Sequence, residues 1–169
     1  TRRPSPPPPA AARRPEVRQR LVIIGAGMAA AYLLQELHRN GAQLDITVVG
    51  EERDTCYNRV LLSSALAGDS TEADLRMLAA GTIPGSTRFI AGTRVESVDT
   101  GKRALVTDRG LVLGYDLLVF ATGASVARPA VADVTIPGVE QLRTLADARR
   151  LRGLAAGGGR AVVAGGGLL

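Results

Sequence analysis

Leu21-Val-Ile-Ile24, preceded by Arg20, is a continuous aliphatic run that Gly25 stops. Four apolar residues without alternation predict a strand covered on both faces, as in a parallel sheet. From Met28 to Arg39, apolar residues fall at Ala30, Leu33, Leu34 and Leu37, which is helical spacing, and Asn40-Gly41 supplies a stop. Leu44-Asp-Ile-Thr-Val-Val49 then reads as a second strand ending at Gly50-Glu51. Together these make one βαβ unit of roughly 30 residues with a right-handed crossover. Further on, the pattern predicts a helix over 58–66 and short strands over 87–91, 94–99 and 103–107. It also predicts another buried strand over 117–120, an irregular connection over 124–140, a helix over 144–154 and a strand over 160–164.

Composition sharpens the expectation. Hydrophobic residues make up 46% of the 169, aromatics only 3%, and there are 20 glycines, so the core is aliphatic with close backbone approach. The net charge of +5 belongs to residues 1–20, which hold six arginines and one glutamate and leave 15 basic and 15 acidic side chains for the rest. A neutral body with a single lysine and two phenylalanines offers no phosphate-tracking stripe and no stacking platform, which argues against nucleic acid as a partner. The proline- and arginine-rich residues 1–19 read as a disordered tail, being too poor in bulky apolar side chains to offset ordering entropy. Cys56 is the only cysteine and His38 the only histidine, so an internal disulfide, a cysteine-held cluster and a histidine-held metal are all excluded for this chain. The longest apolar run, 21–34, is too short to span a bilayer. With no secretory signal evident, the expected compartment is the cytoplasm, away from any membrane.

The sharpest chemical signal is Gly25-x-Gly27-x-x-Ala30, placed after the first strand and opening the first helix. The first glycine permits a tight turn and the second lets a diphosphate approach the backbone. Amides at the helix start, from Ala26 through Met28 and Ala29, supply donors and partial positive charge. Glu51 stands 21 residues after Ala30, where a carboxylate can accept both hydroxyls of an adenosine ribose, and Glu52 is the neighbouring candidate. The competing reading is a glycine turn that only packs helix on sheet. Gly165-x-Gly167, following the strand at 160–164, repeats the opening 140 residues after Gly25. Two such openings suit two dinucleotides, so the sequence reads as truncated at the start of a second nucleotide-binding domain. The expected divisions are a tail over 1–19, a dinucleotide domain over 20–128, a connection and helix over 129–159, and the new domain's first strand over 160–169.

Between the two glycine motifs lies Asp116-Leu-Leu-Val-Phe-Ala-Thr-Gly123, a strand closing on a small-residue turn. Gly25-Ala-Gly27, Glu51, Ala121-Thr122-Gly123 and Gly165-Gly-Gly167 together resemble the FAD- and NAD(P)H-dependent pyridine nucleotide-disulfide oxidoreductase superfamily. Cys56-Tyr-Asn-Arg-Val-Leu-Leu-Ser-Ser-Ala-Leu-Ala-Gly68 is narrower and resembles the large subunit of NAD(P)H-dependent assimilatory nitrite reductase, as does Arg143-Thr-Leu-x-Asp147. The resemblance covers residues 20–169 and implies a Rossmann-like FAD-binding α/β domain, with a parallel central sheet, helices and an added small antiparallel sheet. It implies that Gly25, Ala26, Gly27, Met28 and Ala29 hold the ADP half of FAD, with Glu51 or Glu52 on the ribose. Arg59 would stand as a fixed cation near the flavin or its phosphates, Val95 would meet adenine through its backbone, and Ala121, Thr122 and Gly123 would lie against the same cofactor. NAD(P)H would be the co-substrate, engaged by the domain that Gly165 and Gly167 open.

Two departures qualify the resemblance. Disulfide-reducing relatives use a cysteine pair beside the flavin, and this chain has only Cys56, which reads as a small packed hydrophobe. Related ferredoxin-reductase-type flavoproteins carry a lysine where this chain has Ser64. The leading expectation is therefore the FAD-binding front of a flavoprotein that hands electrons from NAD(P)H to an acceptor domain or a small carrier protein. In the nitrite-reductase case the electrons would make ammonia at a sirohaem and iron–sulfur centre lying in further sequence. A free-standing rubredoxin or ferredoxin reductase and a non-catalytic dinucleotide-binding module are the alternatives. No residue is assigned as a catalytic acid or base, because the flavin supplies the reactive atom.

Overall fold

Leu21–Ile24 stays aliphatic at every position because both faces of its strand are covered. The computed structural model describes residues 18–126 and 136–164. In it, β1 runs over Gln19–Ile24, so Gln19, which the sequence assigned to the tail, opens the strand opposite Leu44. Residues 1–17 lie outside the described residues. Helix α1 (Met28–Arg39) lies on one face and strand β2 (Leu44–Val49) alongside. Leu21 and Ile23 meet Ala30 and Leu34 of α1 together with Ile46 and Val48 of β2. Val22 and Ile24 point the other way, into a cluster with Val49, Leu105 and Tyr115. Two-residue periodicity thus splits one apolar run between two cores. Each fully buried aliphatic side chain, such as Ile23 or Leu34, contributes about 1.5–3 kcal/mol by leaving water.

Beyond β2 the chain forms a 3-10 turn over Arg59–Leu61 and helix α2 (Leu62–Ala67), where the sequence predicted one helix over 58–66. The Asn58 side chain caps the turn by accepting from the Val60 N–H at 3.0 Å, and Gly68 ends the helix in the left-handed conformation. Strand β3 (Thr87–Ile90) then adds in parallel to β2. Strands β4 (Val95–Asp99), β5 (Ala104–Thr107) and β6 (Val112–Gly114) form a small antiparallel sheet. β6 is three residues long, too short for an apolar period to announce it. Strand β7 (Leu117–Phe120) returns to the main sheet in parallel with β1, giving the order β3-β2-β1-β7. The antiparallel sheet supplies Leu105 to the face opposite α1, so the fold is an α/β arrangement of helix, parallel sheet and small antiparallel sheet. Helix α3 (Leu145–Ala155) packs with α2 over Tyr57 and Leu75.

One expectation is corrected. β7 is not buried on both faces: among the described residues it is the edge strand of its sheet, and Phe120 is 65% exposed. Among the described residues, 160–164 have no strand partner, and Val162 is 97% exposed. An extended segment becomes a strand only when a neighbour satisfies its ladder of backbone groups, and none of the described residues pairs with this one.

At the start of β1, Arg20 grips Asp116, the residue before β7. The Arg20 guanidinium donates from Nε at 3.1 Å and Nη2 at 2.9 Å, and its main-chain N–H donates at 2.8 Å. These bonds hold the Asp116 carboxyl down at about 2. A carboxylate held below its unfolded value stabilises the fold above roughly pH 4 and loses that contribution as the pH falls toward 2. NMR titration of the Asp116 carboxyl is expected to show a midpoint near 2, moving back toward the ordinary aspartate value in Arg20→Gln. Equal midpoints in the two proteins would dismiss the pairing.

Candidate functional site

The strand registers place the site. Ile24 stands opposite both Val49 and Phe120, so Gly25, Gly50 and Ala121 follow side by side at the carboxyl ends of three parallel strands. From β1 the chain crosses through α1 to β2 on one side, and β7 joins β1 on the other, which makes the gap between β1 and β7 a topological switch point. In open α/β sheets ligands bind outside the carboxyl ends of the strands at such a point.

Gly25 is required there on two counts. Its φ is +105°, and an added Cβ would stand 2.2 Å from the carbonyl oxygen of Ala121. Its N–H donates to Val49 at 2.7 Å, and the Ala121 N–H donates to Ile24 at 2.7 Å, so the two turns are laced across the strand ends. Ala26 packs over Gly50, where a Cβ would approach its own to 2.6 Å, and its carbonyl accepts from the Cys56 N–H at 2.6 Å. Gly27 differs: among the described residues, nothing beyond its chain neighbours lies within 4 Å of an added Cβ. It is the N-cap of α1, no side chain among the described residues caps that helix, and its first turn contains no acidic residue. The N–H groups opening the helix at Met28 and Ala29 therefore lack a side-chain acceptor and border open space above Gly27. Bare donors at the positive end of a helix, with room over a glycine, fit a diphosphate.

Around this turn lie the other expected residues. Glu51 is exposed just past β2, while Glu52 is half-buried and committed. One Glu52 oxygen pairs with Arg59, and the other accepts from the Tyr57 hydroxyl at 2.6 Å. Arg59 also donates to the Tyr57 hydroxyl and to the Arg143 carbonyl, each at 2.9 Å, and its guanidinium stands 5.0 Å from the Tyr57 ring centre. The charge of Arg59 is thus met by Glu52 within the protein. Burial and the bond to Glu52 push the Tyr57 hydroxyl far above its ordinary pKa. Val95 opens β4 among the apolar residues facing away from α1. Its segment is tied to the carboxyl end of β2, Thr93 donating to Gly50 at 2.8 Å and Gly92 to Glu52 at 2.9 Å. Thr122 and Gly123 are exposed beyond Ala121, with Gly123 at φ +70°. Gly165 and Gly167 lie outside the described residues.

Cys56 is buried and its thiol is pushed up to about 11 by burial, so little thiolate exists at neutral pH. Among the described residues no cluster of three or more histidine, cysteine or carboxylate side chains is placed to hold a metal ion. No helix among them is long and apolar enough to cross a membrane.

Sequence reasoning passed over Tyr57, Arg143 and Arg149 as organisers. Arg149 of α3 binds Asp54 at 2.7 Å and Glu72 at 2.6 Å, pinning that helix to the segment after β2. The signal for Asp147 was present: Thr144 and Asp147 form a capping box at the start of α3. For Arg59 and Arg143, 84 residues apart, no local spacing announces the contact.

Comparison with known proteins agrees with this arrangement. Residues 19–169 match the pyridine nucleotide-disulphide oxidoreductase family. The chain belongs to that family. It is 33% identical over 150 residues to the biphenyl dioxygenase system ferredoxin–NAD(+) reductase component of Paraburkholderia xenovorans, covering 88% of this chain and 37% of that protein. It is 34% identical over 165 residues to nitrite reductase [NAD(P)H] of Emericella nidulans, covering 92% of this chain and 15% of that protein. The crystal structure of the covalent putidaredoxin reductase–putidaredoxin complex superimposes with a TM-score of 0.72 at 28% identity, over 80% of this chain and 34% of that one. This family member thus spans little more than a third of the first of these relatives and less of the second. Resemblance to the superfamily, and within it to nitrite reductase, was legible in the residues that carry the motifs.

Proposed function

We propose that this chain is the FAD-binding portion of a flavoprotein that moves electrons from NAD(P)H to an acceptor. The observation that carries the reading is the uncapped start of α1, open above Gly27, at the β1–β7 switch point. Bound there, FAD would supply the hydride-accepting and one-electron chemistry that no side chain provides. The chain's own residues bind and orient. The N–H groups of Ala26 to Ala29 take the diphosphate, and Gly25, whose own N–H is bonded to Val49, fixes their position through its rigid lacing against Ala121. Glu51 takes the ribose hydroxyls, since Glu52 is already committed to Arg59 and Tyr57. Val95 lines the adenine end, and Ala121, Thr122 and Gly123 border the cofactor from the β7 side. Arg59 serves within the protein, on Glu52 and Arg143.

The two glutamates separate experimentally. Glu51→Ala is expected to weaken FAD binding by about 1–3 kcal/mol, the scale of charge-assisted hydrogen bonds, and to leave the unfolding midpoint in place. Glu52→Ala is expected to lower the unfolding midpoint, because it strands the half-buried Arg59. Fluorescence titration of FAD beside urea unfolding of both variants reads the two effects, and the opposite assignment of losses would transfer the ribose to Glu52.

For the acceptor, the Tyr57-Asn-Arg and Leu61-Leu-Ser signature and the similarity to nitrite reductase favour nitrite, reduced to ammonia at a sirohaem and iron–sulfur centre held by sequence beyond residue 169. Residues 160–169 would then open the NAD(P)H-binding domain, its first strand forming once the rest of that sheet is present. Similarity to ferredoxin–NAD(+) reductase components favours a second reading, delivery to a small ferredoxin-type carrier in the cytoplasm. NAD(P)H oxidation by the full-length protein, measured with nitrite and then with ferredoxin as sole acceptor, separates the two.

A further inference from the structure

Beyond Ala121, the turn at 122–126 has no regular secondary structure and is exposed. Among the described residues its tie to the rest of the fold is Arg143, whose Nη2 donates to the Ala124 carbonyl at 2.6 Å and stands 3.9 Å from a Cβ placed on Gly123. Arg143 is itself held from several sides. Its carbonyl accepts from Arg59 at 2.9 Å, and its N–H donates to the Asp147 carboxylate at 3.1 Å. Two residues on, the Leu145 N–H donates to the buried Tyr57 hydroxyl at 3.1 Å. A long side chain normally reaches a turn from a mobile origin, and that freedom opposes ordering the turn. Here the origin is fixed on the Glu52–Arg59–Tyr57 network, which stands on the segment following the ribose-side glutamate.

We propose that Arg143 is a positioning residue for the cofactor turn. Anchored through Arg59 and Tyr57, it holds Thr122 and Gly123 in their binding arrangement before any ligand arrives. The network thereby couples the ribose side of the site, at Glu51-Glu52, to its β7 side. The proposal rests on the FAD reading for its consequence in binding, but its structural half concerns the ligand-free chain and is measured there. Preordering of a binding loop increases affinity by removing an ordering cost from the binding step.

The test uses the 169-residue chain labelled with 15N. Arg143→Ala is expected to lower the backbone order parameters of Thr122, Gly123 and Ala124 in the ligand-free protein from about 0.85 to below about 0.6, with β1 and α1 unchanged. FAD affinity should fall about tenfold by fluorescence titration. Arg143→Lys, which keeps a donor and the charge, should recover part of both losses. Arg143→Gln, which keeps part of the aliphatic stem, replaces the alanine variant should that one fail to fold. Weakened binding with unchanged order parameters would overturn the proposal, since Arg143 would then act on the ligand directly. Lowered order with unchanged affinity would overturn it as well. If neither the unaltered chain nor Gly27→Val takes up FAD while the turn still loosens in Arg143→Ala, the FAD reading fails and the hold of Arg143 on the turn stands.

Discussion

Gly25→Ala is expected to destabilise the chain by about 3–5 kcal/mol, visible as a large drop in the urea midpoint followed by far-UV circular dichroism. Two costs combine. The residue sits at φ +105°, which an L side chain rarely adopts, and its Cβ would stand 2.2 Å from the backbone oxygen of Ala121. A backbone carbonyl cannot rotate away as a flexible side chain can, and this one belongs to the turn whose N–H is bonded to Ile24. Relief therefore requires parting β1 from β7. Since domains of this size are stable by about 5–15 kcal/mol, the substitution removes a large share of the total. A variant with an unshifted midpoint would mean that the two turns are not laced as described.

Gly27→Val carries the other large effect, and it is the converse. The backbone at Gly27 is extended, at φ −96° and ψ −160°, and among the described residues an added Cβ would meet nothing beyond its chain neighbours within 4 Å. The fold should lose no more than about 1 kcal/mol, the scale of exchanging one helix N-cap residue for another. FAD affinity should drop at least about 100-fold, roughly 2.8 kcal/mol, because the valine fills the room above the bare amides. Two glycines separated by one residue thus divide the work, the first serving the fold and the second the ligand. The motif already assigns the first glycine to the tight turn and the second to the diphosphate, and the neighbours of each Cβ supply the physical reason.

The same distinction explains what was legible before the structure. Leu21–Ile24 announced a doubly covered strand because every residue in it had to be buried, and the apolar spacing over Met28–Arg39 matched the helix from end to end. Those signals are local. Leu117–Phe120 carried the same apolar signal as β1 but sits at the sheet edge among the described residues, because burial is decided by neighbours that the strand does not encode. Val162 and Val163 depend on the same thing: the segment has strand-forming residues, and none of the described residues pairs with it. At the site, Gly25, Gly27 and Glu51 could be singled out because phosphate and ribose chemistry imposes a spacing. Arg59 could not be assigned its partners, since Glu52, Tyr57 and Arg143 reach it through the tertiary fold.

The reactivity of Cys56 also follows from packing rather than from the motif around it. A thiol pushed up to about 11 in a buried position is a filler of space, which agrees with a chain that has no second cysteine to form a redox pair.

The most direct test is to titrate FAD into the 15N-labelled chain and map which backbone amides move. The account predicts shifts concentrated at Gly25 to Ala29, Glu51, Val95 and Thr122–Gly123, with the α3 end at Ala155 and the Lys102 turn unmoved. Shifts confined to the opposite, amino-terminal ends of the strands, around Arg20 and Asp116, or an unchanged spectrum at saturating FAD, would contradict it.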